Sequence, residues 1–123
     1  MEPSQGNTDY RLKAVIDVGS TSIRMVVAQI DEDLGIQPLD TLNQSVAIGS
    51  DTFTRGRISL STTEDCVKVL RNFSTVLKEY NIDLHRDVRA VATSAVREAR
   101  NRNEFLDRIY MATGISVEVI EGK

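Results

Sequence analysis

The chain reads as a single α/β domain built on a mixed β-sheet. Three observations predict this. The first half carries three β-prone runs separated by short turns. The second half alternates amphipathic helices with short apolar strands. The 123 residues, 41% of them hydrophobic, suffice for one core. A meander followed by helix-linked strands places helices over the parallel part of a sheet, and right-handed crossovers restrict where the last strands lie.

The elements follow in order. Residues 1–10, MEPSQGNTDY, are polar and aperiodic, as in a flexible leader, and lack the basic and apolar regions of a secretory signal. Leu12 to Ile16 is an apolar run closed by Asp17-Val18-Gly19, and after Ser20-Thr21-Ser22 a second run extends from Ile23 to Ile30. Two such runs across a Gly/Ser/Thr tip predict an antiparallel hairpin. Asp31 to Gly35 forms a turn, and a third strand is expected within Ile36 to Ile48. Alternation there puts Leu42, Gln44, Val46 and Ile48 on one face and Asn43, Ser45 and Ala47 on the other.

Gly49 to Leu60 reads as a polar loop around Arg55-Gly56-Arg57. Ser61-Thr62-Thr63-Glu64 has the pattern of a capping box, so a helix is expected to start there. Cys66, Val69, Leu70, Phe73, Val76, Leu77 and Tyr80 recur at helical spacing, and Asn81 supplies a left-handed stop. Val88 to Ala92 is a short strand. Thr93 to Glu98 is a turn entering a helix, with Ala95, Val96 and Ala99 as apolar contacts. Asn101 to Glu104 reads as another cap, Phe105, Leu106, Ile109 and Tyr110 as the buried stripe behind it, and Gly114 as its end. Ile115, Val117 and Val119 then alternate as a last strand. The predicted order is β-β-β-α-β-α-β.

Fifteen Lys and Arg against 18 Asp and Glu leave a net charge of −3, which argues against a broad basic surface for nucleic acid. No apolar run approaches the roughly 20 residues that span a bilayer. One cysteine and one histidine make neither an internal disulfide nor a zinc site. A cytoplasmic protein without DNA or membrane partners is expected. Cys66 and Met25 read as core, and His85 as a turn residue.

Two constellations carry chemistry. In Asp17-Val18-Gly19-Ser20-Thr21-Ser22-Ile23-Arg24 a glycine bends the tip, hydroxyls and amides can donate to an anion, and Arg24 offers a planar fork for phosphate oxygens. Asp17 suits such a site if Mg²⁺, retaining several waters, stands between carboxylate and phosphate. A tight turn in which the aspartate caps its own backbone is the alternative. In Val91-Ala92-Thr93-Ser94-Ala95-Val96-Arg97, two hydroxyls stand at a strand-to-helix junction with Arg97 a turn later. Here the alternative is a plain helix cap beside a solvated arginine. Residues 86–108 carry six Arg against four Asp and Glu, a modest cationic stretch.

Together, Ala14 to Arg24 and Val91 to Ala99 resemble the two phosphate signatures of the exopolyphosphatase / guanosine pentaphosphate phosphatase family. Asn101, Glu104-Phe105-Leu106, Thr113-Gly114-Ile115, Val117 to Ile120 and Gly56-Arg57-Ile58-Ser59 resemble it too. Thr21 departs from a position where the family often has Asn, and keeps a hydrogen-bonding group there. The resemblance implies a ribonuclease-H-like mixed sheet, the N-terminal half-domain of the actin-like ATPase fold. It implies hydrolysis of the terminal phosphate of inorganic polyphosphate or guanosine pentaphosphate with water and Mg²⁺. Asp17 would hold the metal, and Gly19, Ser20, Thr21, Ser22, Arg24, Thr93, Ser94 and Arg97 the phosphates. It also implies an activating carboxylate, a second phosphate loop and a second domain past Lys123. Residues 11–123 are then expected to be a partial domain, inactive alone, whose partners are the remainder of its own chain and a second copy in a homodimer. An actin-like or sugar-kinase-like ATP-binding domain, and a non-catalytic polyphosphate- or alarmone-binding module, are the competing expectations.

Overall fold

The computed structural model describes residues 11–121; the expected leader lies outside them. The chain forms strands β1 (Arg11–Val18), β2 (Ser22–Asp31) and β3 (Gly35–Ser45), then helices α1 (Ile48–Arg55) and α2 (Leu60–Glu79). Strand β4 (Val88–Ala92), helices α3 (Ser94–Arg97) and α4 (Arg102–Thr113), and strand β5 (Val117–Val119) complete it. The five strands make one sheet in the order β3-β2-β1-β4-β5. β1, β2 and β3 form the antiparallel meander; β4 joins β1 in parallel, and β5 joins β4 in parallel.

Strand alternation decides the layers. Ala14, Ile16 and Val18 of β1, Ile23, Met25 and Val27 of β2, and Ala90 and Ala92 of β4 are buried beneath the helices. α2 contributes Cys66, Val67, Leu70, Phe73 and Leu77 to this core, and α4 contributes Phe105 and Ile109. Each large side chain so buried contributes about 1.5–3 kcal/mol. The opposite face of the sheet stays open: Val15 is 50% exposed, and Asp17 and Arg24 are exposed beyond it. Cys66 and Met25 are core, and His85 sits in a turn, as expected. Asn81 and Gly114 take the left-handed conformations that end α2 and α4.

Four local expectations are corrected. The stretch after Gly49 is no loop: α1 occupies it, with Ile48, Gly49 and Thr52 buried. The cap of α2 is Ser59, not Ser61; its Oγ accepts from the Thr62 N–H at 3.1 Å, while its own N–H donates to Asp51 Oδ2 at 2.8 Å. Asn101 makes no side-chain cap bond to α4. Instead its amide donates to the Ile58 carbonyl at 2.8 Å and its Oδ1 accepts from the Ile58 N–H at 2.9 Å. Finally, β3 ends at Ser45, leaving Leu42 half-buried and Gln44 exposed at the sheet edge. Val46 and Ile48 are buried from beyond the strand. The observed order is therefore the predicted one with two short helices added, β-β-β-α-α-β-α-α-β.

Candidate functional site

The first corner is the β1–β2 tip. Gly19 N–H donates to the Ser22 carbonyl at 2.9 Å, and a methyl group on Gly19 would press to 3.3 Å from that oxygen. The Ser20 carbonyl accepts from Gly49 N–H at 2.8 Å, and the Thr21 carbonyl from Val46 N–H at 3.0 Å. In a trans peptide the C=O and the following N–H point opposite ways. The Thr21 and Ser22 amides are therefore turned away from the segment behind the tip. Successive amides turned the same way make a concavity suited to an anion.

Asp17 and Arg24 flank this tip. They are direct partners in the β1–β2 register, both on the open face. Among the described residues the ion pairs lie elsewhere, so neither charge is neutralised by the other.

The second corner is held beside the first by the parallel pairing. Val18 pairs with Ala92, so Gly19 and Thr93 leave neighbouring strands at the same end of the sheet. Thr93 precedes α3 without a side-chain cap bond, and its carbonyl accepts from Arg97 N–H at 2.9 Å. The first-turn amides of α3 have no acceptor within the helix. α3 has only four residues, so its dipole adds little to the hydroxyls and amides themselves.

Arg97 stands differently from the other expected phosphate ligands. Its Nη1 donates to the Ile120 carbonyl at 2.9 Å, its Nε lies 3.3 Å from Glu98 Oε2, and the side chain is only 20% exposed. It holds the exit of β5, where Ile120 N–H also donates to the Ala92 carbonyl at 2.9 Å and Glu121 lies 3.7 Å from Arg102. The carboxyl ends of β1, β4 and β5 thus share one rim, the end at which open α/β sheets place ligands.

Other polar features lie apart from this rim or are chemically quiet. Arg55 closes α1, and Arg57 is 3.9 Å from Glu104, a loose exposed pair. Burial pushes the Cys66 thiol up to about 12, so it holds no reactive thiolate. A hollow of about 520 Å³, lined by Arg11, Lys13, Tyr80, Arg86 and Asp87, opens at the start of β1, the end opposite the two corners. Among the described residues no cluster of three His, Cys, Asp or Glu side chains forms a metal cage. A lone exposed carboxylate at the rim still fits Mg²⁺, which is commonly held by one or two carboxylates with waters and phosphate oxygens. None of the described helices is long and apolar enough to cross a membrane. Gly49 and Thr52 are buried in α1, and neither stands out in the sequence because α1 is too short to show an apolar stripe.

The family model described as the Ppx/GppA phosphatase family matches residues 26–123. Exopolyphosphatase 1 of Mycobacterium leprae is 26% identical over 108 residues, which are 88% of this chain and 31% of that protein. A bifunctional 3-dehydroquinate synthase/phosphatase of Fusobacterium nucleatum is 24% identical over 115 residues, 90% of this chain and 17% of that one. Among solved structures, the Aquifex aeolicus Ppx/GppA family member superposes with a TM-score of 0.82 at 32% identity, covering 90% of this chain and 35% of its own. An exopolyphosphatase from Cytophaga hutchinsonii gives 0.82 at 29% identity, with 89% and 34% covered. The chain spans about a third, or less, of the length of these relatives. The fold is the N-terminal, ribonuclease-H-like half-domain of the actin-like architecture found in those structures.

Proposed function

The chain belongs to the Ppx/GppA phosphatase family, and from that we propose that it supplies the phosphate-binding wall of a hydrolase acting on a terminal phosphoanhydride. The substrate class is inorganic polyphosphate or guanosine pentaphosphate, which share that bond. One observation supports this reading above the rest: the Val18–Ala92 pairing sets two hydroxyl-bearing corners side by side, next to the exposed Asp17 and Arg24.

In this reading the Thr21 and Ser22 amides, with the hydroxyls of Ser20, Thr21 and Ser22, receive one phosphate. Gly19 lets the backbone come close. Thr93 and Ser94 approach the same chain of phosphates from β4, and Arg24 pairs with its oxygens by charge-assisted bonds. Arg97 completes the rim with the guanidinium donors that Ile120 and Glu98 leave unengaged. Asp17 would hold Mg²⁺ through waters, and the ion would supply charge neutralisation for the phosphates. Hydrolysis also needs a carboxylate to orient water. At this rim Asp17 is assigned to the metal and Glu121 faces Arg102, so residues 1–123 are expected to bind without turnover.

Titration of the chain with inorganic tripolyphosphate and MgCl₂ tests this by calorimetry, with released phosphate assayed in parallel. Binding is expected, weakened about tenfold in Arg24→Ala by loss of a charge-assisted contact. Unchanged affinity in a folded Arg24→Ala variant, or absence of binding in the parent chain, would sink the site assignment. Steady phosphate release, abolished by Asp17→Ala, would refute the separation of binding from turnover.

A further inference from the structure

We propose that α1 is a positioning strut that fixes the spacing between the two corners, acting through Gly49 and Thr52. The inference rests on the reading above that both corners meet one polyanion. Thr52 is 4% exposed within a helix of eight residues. Its Oγ1 donates to the Ala95 carbonyl at 2.7 Å across 43 residues of sequence. That carbonyl is an orphan of the short α3. The N–H that a longer helix would offer it, that of Ala99, donates to Val96 instead, at 3.1 Å. Ala95 is itself buried, so its oxygen has little water to turn to. Thr52 is the group that satisfies it.

Gly49 stands on the same face of α1, three residues earlier. Its N–H donates to the Ser20 carbonyl at 2.8 Å, and a Cβ on Gly49 would lie 2.8 Å from Ser20 Cβ, closer than real contacts allow. The helix backbone is therefore seated on the β1–β2 tip, and only glycine permits it. The far end of α1 is also held: the Gly56 carbonyl accepts from Arg100 N–H at 2.9 Å, and the Arg100 guanidinium lies over Gly56. A rigid piece about one helical turn long thus touches the tip at one level and the β4–α3 corner at the next. Packing alone would be served by valine at position 52, which has the same shape as threonine. The hydroxyl is what joins the helix to the second corner. Two corners that grip one chain of phosphates need that spacing held to a fraction of an ångström.

Amide NMR spectra of Thr52→Val, Thr52→Ser and Gly49→Ala, with and without tripolyphosphate and MgCl₂, test the strut. Loss of the Thr52 hydroxyl is expected to move the Ser20, Thr21 and Ser22 amide resonances although residue 52 does not bond to them. It should also weaken tripolyphosphate binding about tenfold, and Thr52→Ser should restore both. Gly49→Ala should displace the Ser94 and Ala95 amides in return. Shifts confined to residues 50–55 and 94–99 in Thr52→Val, silence at the second corner in Gly49→Ala, or no rescue by serine would overturn the proposal. Parent chain that fails to bind tripolyphosphate strikes the site assignment instead, and the ligand-free spectra still decide the strut.

Discussion

Arg97 shows how far a residue's identity and place can be read without its partner. Its spacing from Thr93 and Ser94 places it at the end of α3, beside the β4–α3 corner. Its guanidinium, however, holds the Ile120 carbonyl, 23 residues further along the chain. Nothing local in the sequence announces that bond, because the acceptor is a backbone oxygen and backbone oxygens are the same everywhere. Arg24 is the opposite case. Its outward position accords with strand alternation alone, and the structure leaves it exposed beside Asp17. The two arginines should therefore respond differently to truncation. Arg97→Ala removes a partly buried charged donor and is expected to cost about 1.5–3 kcal/mol, with faster hydrogen exchange at Ile120 N–H. Arg24→Ala should leave the urea midpoint almost unmoved. Equal stability of the two variants would mean that Arg97 does not hold β5 in solution.

At the scale of elements, length and shape of the apolar pattern decide what is legible. The twenty residues of α2 present Cys66, Leu70, Phe73 and Leu77 on one stripe, and the hairpin strands alternate cleanly, so these elements read directly from the sequence. α1 has a single apolar residue, Ile48, among its buried positions. Its helical state comes from tertiary bonds, and polar composition disguised it as a loop. The cap of α2 lies at Ser59 and not at Ser61 for a related reason. Either serine satisfies the local pattern, but only Ser59 has its own N–H taken by Asp51, which ties α1 to α2. That tie gives Asp51 a pH signature. Partial burial would raise its pKa, but the Ser59 N–H, the Thr62 and Ser59 hydroxyls and the Arg55 charge together outweigh burial and lower it from its ordinary 3.8. A depressed carboxylate pKa stabilises the fold above the unfolded value and loses that stabilisation as pH falls through the folded one. Stability should therefore decline below pH 3.8, with Asp83 and Asp87, also lowered by their partners, adding to the same limb. Asp51→Asn should make that limb shallower in urea midpoints measured against pH. An identical slope in parent and variant would show that Asp51 carries no proton linkage.

For the molecule as a whole, one sheet face is covered and the other is open, and the boundary between them runs through alternate residues of each strand. The same alternation that sends Ile16 and Val18 into the core sends Val15 and Asp17 outward. A slip of one residue in the β1–β2 register would bury a carboxylate and expose the core, which is why the register is firmly set. The placement of Asp17 and Arg24 is therefore a consequence of packing on the other face, not an independent feature. Two substitutions one residue apart test this. Ile16→Thr puts a hydroxyl where the side chain is fully buried among apolar neighbours, and should cost about 2–4 kcal/mol. Val15→Thr changes a half-exposed position on the open face, and should stay within about 0.5 kcal/mol. Urea denaturation of both variants gives the comparison, repeated over a tenfold range of protein concentration. A large loss in Val15→Thr that deepens with concentration would mean that a second copy covers the open face in solution, and with it Asp17 and Arg24. The rim could then receive a polyanion only after those copies part, and tripolyphosphate affinity would fall as the protein is concentrated. Concentration-independent stability in both variants keeps the open face, and the charges at its end, available to ligand.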